Sequence, residues 1–194
     1  MDGRHKVIEL ERYIDDLEQI LSRYFRVIRH PVVAGRSFLL SAHHAHTMGR
    51  TLITKKDVID KYDIHNTVLV TAAENLQHIL ELSRWLKKHI GEIAKPNSEN
   101  YLTIINLVVI FSNPVSDDVR QHIENYALTK SFLLSLHGWA QAGITGVCLM
   151  NGEVFCGKRV AEMKQLFDPA RDHNPSAPNP KPTQTENSAV NKLH

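Results

Sequence analysis

The sequence predicts an α/β (α+β) domain built around a central mixed sheet, and two observations carry this prediction. First, residues 7–24 and 74–95 place apolar side chains at the alternating spacings of three and four that amphipathic helices require. Second, residues 101–111 form a continuous apolar run rich in β-branched side chains, which is typical of a strand covered on both faces. Helices and a two-sided strand together predict helices packed against a sheet.

A single globular domain is expected over residues 1–167. The chain has 194 residues and is 42% hydrophobic, which suffices for one sizeable core. Residues 168–194 contain five of the eight prolines and no aromatic residue. Because such a segment buries too little surface to offset its ordering entropy, we predict a disordered, proline-rich tail.

The order of elements follows from the residues that separate the apolar stretches. After the first helix, residues 25–73 predict three or four mostly antiparallel strands, and Pro96 ends the second helix. With the strand at 101–111, these elements form an αβββαβ-type core. A short helix that begins at Ser116, strands at 130–139, 141–150 and 153–157, and a closing helix at 158–167 are predicted to follow.

The Asn-Gly pair at 151–152 predicts a two-residue hairpin turn near the end of the domain. This turn would pair Cys148 with Phe155 and place the sulfur atoms of Cys148 and Cys156 on opposite faces of the ribbon. Both cysteines are therefore expected to be free. Free thiols, and the absence of an apolar signal segment at residues 1–16, predict a cytoplasmic protein with no membrane partner.

The charge pattern predicts a polyanion-binding surface. Residues 19–56 contain seven lysines and arginines and no acidic residue, although the net charge of the chain is only +2. If the strands place several of these cations on one face, the patch would suit phosphate groups of nucleic acid or another anionic partner. Alternatively, the side chains face water and the acidic first helix neutralises them. The candidate residues are Arg26, Arg29, Arg36, Arg50, Lys55 and Lys56.

His44 and His46 are candidates for metal ligands, because side chains two positions apart share one face of a strand. Two imidazoles do not make a zinc site, and no spacing signature ties them to a third ligand. The possible third ligands are His30, His65, His137 and Cys148. No metal, cofactor or catalytic residue is therefore predicted, and the common nucleophile and nucleotide-binding motifs are absent from the sequence.

The αβββαβ order resembles the core of restriction-endonuclease-like nucleases. The chemistry of that fold needs carboxylates on the second and third strands, followed by a lysine, to hold a divalent metal. Here Lys55 and Lys56 precede the first acid, Asp57. An active nuclease of this type is not expected, whereas an inactive relative that still binds nucleic acid is compatible with the basic stretch.

Two short segments resemble a family of uncharacterised prokaryotic proteins that is known only as a domain of unknown function. These segments are KSFLLSLHGW at residues 130–139 and LITKK at residues 52–56. The resemblance spans residues 8–167. It implies one recurring α/β domain to which the tail is an addition, and it implies no activity, ligand or catalytic residue.

Two functional hypotheses follow from these patterns. The first is a non-enzymatic cytoplasmic module that binds a nucleic acid or a protein partner through its basic strands or an exposed sheet edge. The second is a metal-assisted hydrolase or a degenerate nuclease-like domain that uses the region of residues 43–46. The absence of a recognisable acid, base and nucleophile set favours the first hypothesis.

Overall fold

The computed structural model describes residues 3–51, 58–97 and 100–170 of the chain. It confirms the predicted α+β class, with helices packed against a mixed sheet. The helices are α1 (Gly3–Leu21), α2 (Leu76–Ala94), α3 (Asp117–Asn125) and two 3-10 helices (Leu133–Ser135 and Lys158–Phe167). The strands are β1 (Arg26–Arg29), β2 (Val32–Val33), β3 (Arg36–Ser37), β4 (Leu40–Thr51), β5 (Val58–Ala72), β6 (Asn100–Phe111), β7 (Leu128–Ser131), β8 (Trp139–Cys148) and β9 (Glu153–Cys156).

The main sheet has the strand order β1-β4-β5-β6-β8-β7, and β9 also pairs with β8. Strands β5, β6 and β8 run parallel to one another, whereas the other pairs in the sheet are antiparallel. β2 and β3 form a separate two-stranded hairpin between β1 and β4. Helix α2 provides the crossover that parallel pairing of β5 and β6 requires.

Strand β6 is buried on both faces, as its apolar run predicted. Ile105, Leu107 and Val109 pack in the core on the side of α2 and α3. Val108 and Ile110 pack in a second core on the side of α1 and the closing 3-10 helix. None of these five side chains is more than 1% exposed. The sheet therefore separates two hydrophobic cores in a three-layer arrangement.

The ends of helix α2 are defined by polar contacts. The side chain of Asn75 accepts a hydrogen bond from the backbone N–H of His78 at 3.0 Å, which caps the first turn. At the other end, Lys95 adopts a left-handed conformation and its N–H donates to the carbonyl oxygen of Gly91. Pro96 follows, so the predicted end of this helix is confirmed within one residue.

The predicted two-residue hairpin turn is wrong. β8 ends at Cys148 and β9 begins at Glu153, so four residues, 149–152, connect the strands. Leu149 donates its backbone N–H to the carbonyl of Phe111 on β6 at 2.9 Å, which continues the parallel pairing of β8 with β6 beyond Cys148. Within the turn, the side chain of Asn151 accepts a hydrogen bond from the backbone N–H of Glu153 at 3.1 Å. The Asn-Gly pair therefore forms the second half of a longer turn that this side chain stabilises.

Both cysteines are free, as predicted. The pairing of Cys148 with Phe155 is not observed, since Phe155 lies opposite Gly146 and Cys148 lies opposite Glu153. The register differs from the prediction by two residues, and side chains alternate with a period of two. The two sulfur atoms consequently still project from opposite faces of the ribbon.

The predicted strand at residues 130–139 is wrong beyond Ser131. The chain leaves the sheet at Phe132, passes through a short 3-10 helix and re-enters at Trp139. Two backbone hydrogen bonds close this excursion: Phe132 donates to Gly138 at 3.0 Å and His137 donates to Phe132 at 3.3 Å. The apolar residues of this segment therefore lie in a closed loop and not in a strand.

Part of the sequence interpretation lies outside the described residues. The predicted tail, from residue 171 onward, and most of the strand expected around residues 51–54 cannot be compared with the structure, so the tail stays a prediction. Among the helices in the described part of the chain, none combines the length and apolar character that crossing a bilayer requires.

A buried hydrogen bond joins the two ends of the domain. The hydroxyl of Tyr13 on α1 donates to the carbonyl oxygen of Phe167 at 2.7 Å across 154 residues of sequence. Burial and the nearby carboxylate of Asp168 raise the pKa of Tyr13, so the hydroxyl stays protonated and can donate.

Replacing this tyrosine tests how firmly the closing 3-10 helix is held. We expect Tyr13→Phe to lower the free energy of unfolding by about 1–3 kcal/mol, because it leaves a buried carbonyl without a donor. Urea denaturation measures the change. Tyr24→Phe is the matched control, since Tyr24 is 48% exposed and its loss of a hydroxyl should have little effect. Equal stability of the two variants would contradict the assignment.

Candidate functional site

A pocket of about 550 Å³ lies where the C-terminal end of α2 meets strands β4 to β6, and the β2–β3 hairpin forms its outer wall. We call it the basic pocket. Its polar lining includes His43, His65, Thr67, Glu92 and Lys95. Its apolar lining includes Val32, Val33, Leu69 and Ile93. A cavity with apolar walls and a few converging polar groups is the usual form of a ligand site.

The pairing of β4 with β5 brings the polar side chains together. His43 lies directly opposite Thr67 in the antiparallel register, and His65 is two residues before Thr67 on the same face. Arg26 on β1 lies opposite His43 and continues the row toward the sheet edge. Lys95, the left-handed residue that ends α2, lines the same pocket.

A short chain of contacts links the histidines. His43 Nδ1 lies 3.3 Å from the hydroxyl oxygen of Thr67, and His43 Nε2 lies 3.4 Å from Nδ1 of His65. The two imidazole rings stack with centroids 5.4 Å apart. A hydrogen bond between the two rings needs one nitrogen with a proton and one without, so the pair favours at least one neutral ring.

The electrostatic environment of His43 is positive. Burial lowers the pKa of His43, and positive charge from His65, Lys95, His44 and Arg26 lowers this pKa further. Glu92 also lines the pocket, but its carboxylate contacts His89 Nδ1 at 3.1 Å.

The structure separates the predicted polyanion-binding residues. Arg26 borders the basic pocket, whereas Arg29 projects from the opposite face of β1 toward helix α1. There the guanidinium of Arg29 forms ion pairs with Asp15 and, through Nε at 2.7 Å, with Glu18. The alternative interpretation, neutralisation by the acidic first helix, therefore describes Arg29. The two arginines are three residues apart, and an odd spacing places side chains on opposite faces of a strand.

The other predicted cations lie in the outer hairpin, in a part of β4 whose side chains are not described, or outside the described structure. Arg36 is in β3, opposite Val33 in the outer hairpin. The backbone of Arg50 belongs to β4, opposite Asp60 on β5, and its side chain is not described. Lys55 and Lys56 lie outside the described residues.

The candidate metal ligands His44 and His46 share one face, as predicted, with ring centroids 5.7 Å apart. This face is opposite to the one that carries His65, so that potential third ligand lies on the other side of the sheet. Burial and the neighbouring His44 lower the pKa of His46. Within residues 3–51, 58–97 and 100–170, no cluster of three or more histidine, cysteine or acidic side chains could hold a metal ion.

Sequence reasoning missed the convergence of His43, His65, Thr67 and Lys95. Alternation along β4 correctly grouped His44 with His46, but it gives no information on which residues of β5 face them. That partnership depends on the β4–β5 register, which no local pattern specifies. The only sequence signal for Lys95 was its position before Pro96, which marks a helix end and indicates no ligand.

Comparison with known proteins yields one match. A family model described as "Domain of unknown function (DUF8052)" matches residues 9–169 of the chain. No curated protein and no solved structure matches. The matched range covers every element described above that lines the basic pocket.

Removing one positive charge from the pocket should raise the pKa of His43. We expect Lys95→Gln to shift this pKa upward, toward but not fully to its usual value, because burial, the largest cause of the depression, remains. Titration of the histidine ring resonances by NMR measures the shift. Lys158→Gln, at an exposed position on the closing 3-10 helix, is the control. An unchanged His43 pKa in the Lys95 variant would show that Lys95 does not act on the pocket.

Proposed function

We propose that this chain, which belongs to the family described as Domain of unknown function (DUF8052), is a non-enzymatic binding module for a phosphate-bearing ligand. The observation that carries the proposal is the convergence of Arg26, His43, His65 and Lys95 on one face of the sheet beside a single pocket. The ligand's phosphate group would lie among these four side chains.

The electrostatics of the pocket support this assignment. Burial disfavours the protonated form of His43 and the basic groups around it repel that form, as the lowered pKa indicates. A bound phosphate would offset that repulsion, so ligand binding and protonation of His43 should favour each other. Arginine can bind phosphate in a two-pronged geometry, lysine supplies a point charge, and a neutral imidazole can donate one hydrogen bond.

The size and walls of the pocket favour a nucleotide unit as the ligand. A volume of about 550 Å³ suits a small molecule or one residue of a polymer, and the apolar wall offers a surface for a base. Within the acid-free stretch of residues 19–56, Arg26 borders the pocket, which is compatible with a nucleic acid as the source of that unit. A free nucleotide has the same phosphate chemistry, so the experiment must separate the two sources.

The second functional hypothesis, metal-assisted hydrolysis, has less support. His44 and His46 supply two imidazoles, and a catalytic zinc site uses three protein ligands. Among the described residues, no third ligand lies in a group with them. The phosphate-binding proposal requires no metal.

The proposed site of action is the cytoplasm of a prokaryotic cell. Two free thiols, one of them buried, support a reducing compartment. The prokaryotic origin is supported by the resemblance of residues 130–139 and 52–56 to proteins of such organisms.

Titration of the full chain with fluorescent single-stranded DNA and RNA at several salt concentrations tests the proposal. We expect the double variant Arg26→Gln with Lys95→Gln to bind roughly tenfold or more weakly. Its slope of log affinity against log salt should be smaller by about 1.4, because two phosphate contacts are lost and each contributes about 0.7 on a single strand. Arg29→Gln removes the same charge from the other face of β1, next to Asp15 and Glu18, and should bind as the wild type does.

Competition with mononucleotides and inorganic phosphate separates the possible ligands. Displacement of the oligonucleotide by a mononucleotide at similar affinity would assign the pocket to a free nucleotide. A steep salt dependence without such displacement would assign it to nucleic acid. If neither oligonucleotide nor nucleotide binds at low salt, or if the His43 pKa does not rise when phosphate is added, the proposal fails.

A further inference from the structure

A group of leucines projects from the loop between β7 and β8, which we call the leucine loop (residues 132–138). Leu133, Leu134 and Leu136 are 63%, 96% and 74% exposed. At the base of the loop, Tyr101 and Trp139 are also exposed and contact each other edge to face at 6.2 Å. Exposed apolar side chains are usually scattered singly over a protein surface, so a contiguous group of them indicates an interaction surface.

Two residues of the leucine loop have a strained backbone conformation. Leu133 and Leu134 both adopt left-handed conformations, with φ of 46° and 52°, which branched-chain residues rarely tolerate. The strained turn is closed at its base by the hydrogen bonds of Phe132 with Gly138 and His137. This strained conformation holds apolar side chains in water at a cost in free energy, and a partner that buries these side chains would offset that cost.

The surroundings of the leucine loop are basic. Lys130 lies over the ring of Phe132 at 5.6 Å, and Gly91 of α2 faces both side chains. Arg84, Lys87 and Lys88 are exposed and lie seven, four and three residues before Gly91, so they occupy the same side of α2. The segment 128–139 itself contains no acidic residue.

We propose that the leucine loop docks on an anionic lipid bilayer, with its leucines in the interfacial layer and the nearby cations against the headgroups. Leucine with flanking aromatic and basic side chains is the composition that interfacial binding requires. Sequence analysis expected no membrane partner because no stretch spans a bilayer, but adsorption at the interface needs no spanning segment.

Charge complementarity selects the bilayer over a second copy of the chain. Self-association through the leucine loop would bring Lys130 and the basic side of α2 from each copy close together. The adjacent strand β7 has only four residues and carries Lys130, and short, lysine-bearing edge strands resist pairing with another sheet. An anionic membrane can bury the apolar part of this surface and bind its basic part through the lipid headgroups.

Vesicle co-sedimentation of the full chain tests the proposal, using vesicles of phosphatidylcholine with an equal part of phosphatidylglycerol. We expect salt-sensitive binding to these vesicles and markedly weaker binding to phosphatidylcholine alone. The double variant Leu133→Asn with Leu134→Asn should bind roughly tenfold or more weakly, because it removes two apolar side chains from the interfacial layer. Lys130→Glu should also weaken binding to the anionic vesicles.

The asparagine variant separates docking from folding. Asparagine tolerates left-handed conformations better than leucine does, so the melting temperature should be unchanged or higher while vesicle binding falls. Met150→Asn is the matched control, because Met150 is 55% exposed in the distant β8–β9 turn and its replacement should leave binding intact. The asparagine variant should also bind oligonucleotides as the wild type does, which distinguishes the leucine loop from the basic pocket.

Three results would overturn the proposal. The first is wild-type binding to anionic vesicles that the asparagine variant retains in full. The second is no binding to anionic vesicles, or equal binding to neutral ones. The third is a concentration-dependent dimer that is lost in the asparagine variant while wild-type protein does not bind vesicles, which would assign the leucine loop to self-association.

Discussion

The burial of β6 on both faces is the constraint on which the rest of the structure depends. A strand with apolar side chains above and below must be covered by two layers, and here α1 and α2 lie on opposite sides of it. Parallel pairing of β6 with β5 and with β8 requires crossover connections. The first of these connections contains α2, and the second contains α3. The order of the sheet and the positions of the helices therefore follow from one strand.

The basic pocket exists because this covering is incomplete. Helix α2 ends at Ala94, before it has covered the β4–β5 side of the sheet, and the β2–β3 hairpin shields the space beyond from the outer side. The polar side chains of β4 and β5 that face this space are therefore only partly covered. Partial burial of His43 and repulsion from the basic groups around it lower the pKa of His43.

Strand alternation decides which cations can act together. Arg26 and Arg29 look equivalent in the sequence, yet one borders the pocket and the other is paired with two carboxylates of α1. The same rule separates His43 from its neighbours His44 and His46, which face the α1 side of the sheet. A basic sequence stretch thus yields two electrostatically different surfaces on the two sides of one sheet.

The sequence by itself determined the elements that local periodicity or composition specifies: both long helices, the two-sided strand β6, the α+β class and the free cysteines. It could not determine the β4–β5 register, because alternation along a strand does not specify which residues of two strands lie opposite each other. The β8–β9 turn and the loop at residues 132–138 depend on hydrogen-bond geometry that composition does not specify. In the turn Asn151 accepts from the N–H of Glu153, and in the loop Phe132 bonds to Gly138 and His137. Only the tertiary structure decided where the basic pocket and the leucine loop lie, since side chains converge through long-range pairing that local preferences do not encode.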